Sequence, residues 1–132
     1  MALAQRRVLV VEDEFLASLS TIDFLEGIGC KVVGPAARLE AALQLARSES
    51  LDAAVLDINI AGEMVWPVAA ELQHRRVPFL FLSAYVELDV IPALFADAPR
   101  LAKPLEQRRL LCLLNAIWGA ASPGPPPDAP RL

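Results

Sequence analysis

The chain has 132 residues, 55% hydrophobic and 21% charged, with a net charge of −4, enough for one domain with its own core and too apolar for a disordered chain. An acidic balance lacks the basic footprint of a nucleic-acid binder, and no apolar run approaches the roughly 20 residues of a membrane helix. Cys30 and Cys112 are too few for a disulfide framework and are not spaced as metal ligands, so both read as reduced, partly buried hydrophobes of a cytoplasmic protein.

In chain order, Arg7 to Val11 is a β-branched run that stops at Glu12-Asp13-Glu14. A helical period follows, with Phe15, Leu16, Leu19, Ile22 and Phe24 to Leu25 at three-to-four spacing, and Gly27 and Gly29 end it. A brief strand, Lys31 to Val33, and a turn at Gly34-Pro35 lead to a second helix reaching about Glu49, with Leu39, Leu43 and Leu45 to Ala46 facing inward. Ala53 to Leu56 shows no alternation, as in a strand buried on both faces, and ends at Asp57. A loop to Gly62, a third helix over Glu63 to Arg75 and a fourth strand from Pro78 to Leu82 come next.

Between Tyr85 and Pro99 the apolar residues suggest a fourth helix, shortened or broken because Pro92 removes an amide. Arg100 to Ala102 is a fifth strand before Lys103-Pro104. Leu105 to Trp118 is the last helix, with Leu110, Leu111, Leu114, Ile117 and Trp118 on one side. Residues 6–119 thus form one domain. Residues 120–132 are proline-rich, read as a polyproline II or flexible tail, and leave no room for an output module.

Five strands alternating with helices predict a flavodoxin-like (βα)5 three-layer α/β sandwich, a parallel sheet of order 2-1-3-4-5. Ligands of such sheets sit outside the carboxyl ends of the strands, between the first and third; those ends are Glu12-Asp13 and Asp57. Carboxylates gathered there repel one another, and a hard cation such as Mg²⁺ offsets that repulsion through oxygen ligands. Asp57 is then a candidate carboxylate nucleophile for phosphoryl transfer. Lys103, one of two lysines in the chain, and Ser83 end the fifth and fourth strands, placed to give a charge and a hydroxyl to phosphoryl oxygens.

The stretches Val8 to Glu14, Ala54 to Asn59, Pro78 to Ser83 and Leu101 to Pro104 resemble, in this order, the receiver domains of bacterial response regulators, from Arg6 to about Gly119. The resemblance implies a protein that is not an enzyme in the usual sense. It would take a phosphoryl group on Asp57 from a histidine kinase or phosphotransfer protein and assist its own phosphorylation and dephosphorylation. It further implies that Glu12, Asp13, Asp57 and the Asn59 backbone carbonyl hold Mg²⁺, with Mn²⁺ as a substitute. Ser83 would be the switch hydroxyl and Lys103 the phosphate partner, with a cis bond before Pro104.

Asp57 to Glu63 and Pro78 to Tyr85 resemble more narrowly the FATGUY single-domain receivers of alphaproteobacteria, which carry Thr-Gly before their aromatic where this chain has Ser83-Ala84 before Tyr85. Arg100 stands where many receivers have their aromatic switch residue, so Ser83, Ala84, Tyr85 and Arg100 are the switch candidates, with Tyr85 either an aromatic lid or a shield of the aspartyl phosphate from water. The signal would leave through a protein target or a homodimer, or be drained as a phosphate sink; the alternative is a degenerate receiver that serves as a phosphorylation-independent interaction module. A haloacid-dehalogenase-like hydrolase needs a second Asp two residues after the nucleophile, where Asn59 stands. Arg100 otherwise reads as a solvated edge charge and His74 as an exposed helix residue, while Trp66 reads equally as a partner anchor or as packing.

Overall fold

In the computed structural model, residues 5–83 and 91–119 are described. The elements are β1 (Arg7–Val11), α1 (Phe15–Gly27), β2 (Lys31–Ala36), α2 (Leu39–Ser48), β3 (Ala53–Asp57), β4 (Asn59–Ile60), β5 (Glu63–Met64), α3 (Trp66–His74), β6 (Phe79–Ser83), β7 (Arg100–Ala102) and α4 (Gln107–Gly119). Five of the strands make one parallel sheet of order β2-β1-β3-β6-β7. That is the predicted 2-1-3-4-5 order once the two-residue strands β4 and β5, a separate antiparallel hairpin, are set aside. No helix of the described residues is long and apolar enough to cross a membrane.

Successive residues of a strand point to opposite faces, and here both faces are dry. Leu9, Val11, Ala54, Leu56, Phe79 and Phe81 pack with residues of α2 and α3. Val8, Val10, Ala53, Val55, Leu80 and Leu82 pack with Leu25 of α1 and with Leu110, Leu114 and Trp118 of α4. Burial on both sides is why the strands read as unbroken apolar runs, and it leaves strand ends as the place for polar chemistry. Trp66 is a packing residue, with ring centroids 5.6 Å from Phe81 and 6.0 Å from Phe95. Cys30 is buried, Cys112 is half-buried, and both are free thiols; burial pushes the Cys30 thiol up from its ordinary value, helped by the nearby Asp52 charge.

Three expectations change. In α1 the buried residues are Ser18, Thr21 and Leu25, whereas Phe15, Leu16 and Leu19 are 72%, 78% and 40% exposed. Small hydroxyl residues serve on the inner face because each satisfies itself locally: Ser18 Oγ donates to the Phe15 carbonyl and Thr21 Oγ1 to that of Ala17. Residues 63 and 64, predicted as helix, are strand. Ala61 (φ 52) and Gly62 (φ 88) form a two-residue turn with both φ positive, so the chain reverses at once and α3 starts only at Trp66, with Pro67 in its first turn. Across the predicted fourth helix the described part is a single 3-10 turn, Ala93–Phe95, that begins after Pro92; Ala84 and Tyr85 lie outside the described residues.

β2 also runs past the predicted turn, through a cis Gly34-Pro35 bond, to Ala36. Its register against β1 slips there, with Leu9 opposite Val33 but Val11 opposite Ala36, so β2 holds one extra residue. Gly34 has φ +99, and a Cβ on it would lie 2.9 Å from the Ala36 nitrogen and 3.0 Å from the Val10 carbonyl oxygen, both immobile backbone atoms. Gly34→Ala should therefore destabilise the protein by at least about 2 kcal/mol, combining the left-handed penalty with overpacking. A chemical-denaturation midpoint equal to that of the parent would refute this account of the bulge.

Candidate functional site

The parallel register builds the site. Val11 lies opposite Leu56, which sets Glu12 beside Asp57, and Asp57 lies opposite Leu82, one residue before Ser83. Ser83 lies opposite Ala102, and the Lys103 N–H donates to the Ser83 carbonyl at 2.8 Å. The Glu12 N–H donates to the Ala36 carbonyl of β2 at 2.9 Å. Four of the predicted residues, Glu12, Asp57, Ser83 and Lys103, thus share one edge of the sheet, each one step past or at the last residue of its strand.

Glu12, Asp13 and Asp57 each present a carboxylate oxygen within 4.8 Å of the others. Glu12 and Asp57 are only 4% and 7% exposed, and charges so buried are tolerated only when paired. The pairing comes from one ammonium: Lys103 Nζ lies 2.7 Å from Glu12 Oε1 and 2.8 Å from Asp57 Oδ2, with Glu14 Oε1 farther off at 3.8 Å. Sequence reading assigned Lys103 to an incoming phosphate and did not anticipate this resting role. The Lys103-Pro104 bond is cis, as expected.

Backbone donors hold the remaining acids. The Glu14 N–H donates to Glu12 Oε2 at 3.1 Å, and the Ala61 N–H, in the β4–β5 turn, donates to Asp13 Oδ2 at 2.9 Å. The Gly62 N–H donates to the Asn59 side-chain oxygen at 2.9 Å, committing that amide to the turn. This hairpin contribution was missed, although Ala61-Gly62 between Ile60 and Glu63 is a turn signal.

Burial raises the Glu12 carboxyl above its ordinary value, with the neighbouring Asp57 adding to it, against the lowering bonds from Lys103 and the Glu14 N–H. For Lys103, burial is the largest influence and pulls the ammonium down, but its bonds to Asp57 and Glu12 together outweigh it and hold the value above normal. Lys103 contributes stability below its ordinary value, lost as pH rises through the raised one. Glu12, protonated more readily folded than unfolded, favours the fold below the ordinary 4.5 and loses that contribution as pH rises through its raised value.

Arg100 is not a solvated charge. It is half-buried, and its Nη2 donates to the carbonyl of Ala96 at 2.8 Å and more weakly to that of Ala98 at 3.4 Å, fastening the 3-10 segment to β7. His74 ends α3 on the exposed surface, away from these groups.

No family model matches the chain. It is 34% identical to SdrG of Sphingomonas melonis, whose solution structure it matches with a TM-score of 0.75 over 89% of this chain and 98% of that one. It is 26% identical to the receiver domain of a sensor histidine kinase from Pseudomonas aeruginosa, with a TM-score of 0.74 over 87% and 98% of the two chains. That receiver carries a magnesium ion coordinated in its active-site cleft. The transcriptional regulatory protein PdtaR of Mycobacterium tuberculosis is 29% identical over 122 residues, 92% of this chain and 59% of that protein, so the chain spans about three fifths of the curated relatives it matches.

Two substitutions should separate the charges. With divalent cations chelated at neutral pH, Glu12→Gln should raise the melting temperature by a few degrees, since it removes a carboxylate that the fold prefers neutral. The gain should close as pH falls below the ordinary glutamate value. Lys103→Met should lower the melting temperature under the same conditions, because it leaves buried carboxylates unpaired. Calorimetry with and without chelator checks both, and equal signs would contradict this electrostatic account.

Proposed function

Because the chain belongs to the response-regulator receiver family, we propose that Asp57 accepts a phosphoryl group from a phosphohistidine of a sensor kinase or phosphotransfer protein, and that the acquired charge is read out by a protein partner. The observation that carries this reading is the Lys103 ammonium seated between Glu12 and Asp57 beside a third carboxylate. In this assignment the receiver unit is residues 6–119, working in the cytoplasm.

The donor set suits a hard divalent cation, for it is all oxygen. Glu12, Asp13, Asp57 and the Asn59 backbone carbonyl would hold Mg²⁺ or, in its place, Mn²⁺. For Asn59 the support is register: the Val65 N–H donates to the Ile58 carbonyl, and alternation along an antiparallel pair then turns the next carbonyl away from β5. Bound there, the ion supplies positive charge to the phosphoryl oxygens.

An Asp57 carboxylate oxygen attacks phosphorus as the donor's P–N bond breaks, the electron pair leaving on the imidazole nitrogen. Lys103, already on Asp57 Oδ2, swings from carboxylate to phosphoryl oxygen, and the Ser83 hydroxyl donates to another. Moving Ser83 shifts the end of β6 against β7, and Arg100 passes that shift to the turn whose carbonyls it holds. Ala84 and Tyr85 complete the switch in this proposal. Exposed Phe15 and Leu16 open α1 directly after the acidic residues, an apolar landing place for a donor that must bring its histidine to Asp57.

A hydrolase of external phosphomonoesters is disfavoured, since Asn59 offers an amide already bound to Gly62 where an acid/base is needed. Incubation with Mg²⁺ and acetyl phosphate should add the mass of one phosphoryl group. Asp57→Asn or chelation should abolish the gain; absence of labelling, or continued release of phosphate from unrelated esters, would overturn the proposal. Replacing Phe15 and Leu16 together by Ala should leave labelling by acetyl phosphate intact but slow transfer from a phosphohistidine protein about tenfold, a barrier change near 1.4 kcal/mol. Equal slowing with both donors would remove the docking role.

A further inference from the structure

At the end of the sheet opposite Ser83, where β6 begins, the described residues form an open groove of about 360 Å³. Its floor is apolar, with Phe79, Phe95, Pro99 and Ile117, and Leu94 stands 65% exposed beside them. On its rim are Arg76 and Asp97, both exposed, of opposite sign, and neither in an ion pair with another described residue. An aromatic and proline-lined cleft of this size suits a short extended segment, the kind of ligand that proline-rich sequences provide.

We propose that the groove seats this chain's own Pro127-Asp128-Ala129-Pro130-Arg131 segment. Three features select it over another occupant. Position comes first: Ile117 of α4 lines the groove, α4 ends two residues later at Gly119, and residues 120–132 continue from there. Eight steps from Gly119 to Pro127 at about 3.1 Å each reach about 25 Å, ample for the chain to turn back.

Spacing is the second feature. A polyproline II helix repeats every three residues, so Pro127 and Pro130 share one edge and Asp128 and Arg131 the adjacent one. The third is charge. Asp128 meets Arg76 while Arg131 meets Asp97, and the two opposite signs on each partner fix one direction of docking. The prolines lie over Phe79 and Phe95 and cover Leu94. This site is independent of Asp57 chemistry and holds whether or not the chain is phosphorylated.

The test uses the full chain labelled with ¹⁵N and Glu/Arg charge reversals at exposed positions that leave the core untouched. Prolines have no amide, so Asp128, Ala129 and Arg131 report. In the parent, their order parameters should exceed about 0.6 and should not change on dilution. Arg76→Glu or Asp128→Arg alone should drop them below about 0.6 and shift the amides of Leu94 to Ala98. The double reversal, Arg76→Glu with Asp128→Arg, should restore both. Low order parameters in the parent overturn the proposal, as does order indifferent to the reversals. Order that fades on dilution assigns the groove to a second copy and overturns it as well.

Discussion

Three carboxylates lie within 4.8 Å of one another at the mouth of the sheet, and a single ammonium touches two of them. That shortage of positive charge organises everything around it. Two of the acids are shielded from water, so their repulsion is little screened, and the fold must spend fixed dipoles on them: the N–H of Glu14 on Glu12 and that of Ala61 on Asp13. The acids are together because β1 and β3 are parallel neighbours in register, and the ammonium is there because β7 reaches the same edge through β6. A protein built this way is charged, in the mechanical sense, before any ligand arrives.

The opposite end of the sheet is tied down by arginines rather than acids. Arg7 donates to the Ser50 carbonyl at 2.6 Å and to Glu49 Oε1 at 2.7 Å, while its N–H bonds Asp52. Arg75 donates to the carbonyls of Ala46 and Glu49 at the close of α2, where unpaired carbonyls and the helix dipole both favour a cation. These bonds fasten strand and helix ends through contacts separate from those that hold the acids around Asp57.

Much of this was legible in the sequence, and the reasons differ from place to place. The strand runs were legible because burial on both faces leaves no polar residue in β3 before Asp57. Connection rules gave the parallel sheet, and its order followed from the strand count, for which the flavodoxin-like arrangement is the natural choice. The inner face of α1 was not legible, because a hydroxyl that satisfies itself on its own helix looks polar in sequence yet packs like a small apolar residue; the larger apolar side chains of that helix were free to face outward. The hairpin after Asp57 escaped notice because Ala61 takes a left-handed backbone that alanine seldom adopts. The double role of Lys103 escaped because spacing places a charge at an edge without saying which partner it rests on. Asp57, Glu12, Ser83 and Lys103 were each found from a strand end, which is a register argument and survives errors in loops.

Arg100 reads no side chain. Its guanidinium donates to the carbonyl oxygens of Ala96 and Ala98, groups that every amino acid possesses. The anchor itself therefore places no demand on residue type at either position: exposed position 96 is open to drift so long as the backbone keeps its turn, whereas Ala98 also packs against the core. Position 100 itself carries the whole restriction, and a lysine there would offer a point charge in place of a planar fork. Sequence variation in this corner of the fold should be lopsided: permissive at exposed position 96, limited at 98 by its packing rather than by the anchor, and narrow at the residue that holds them both.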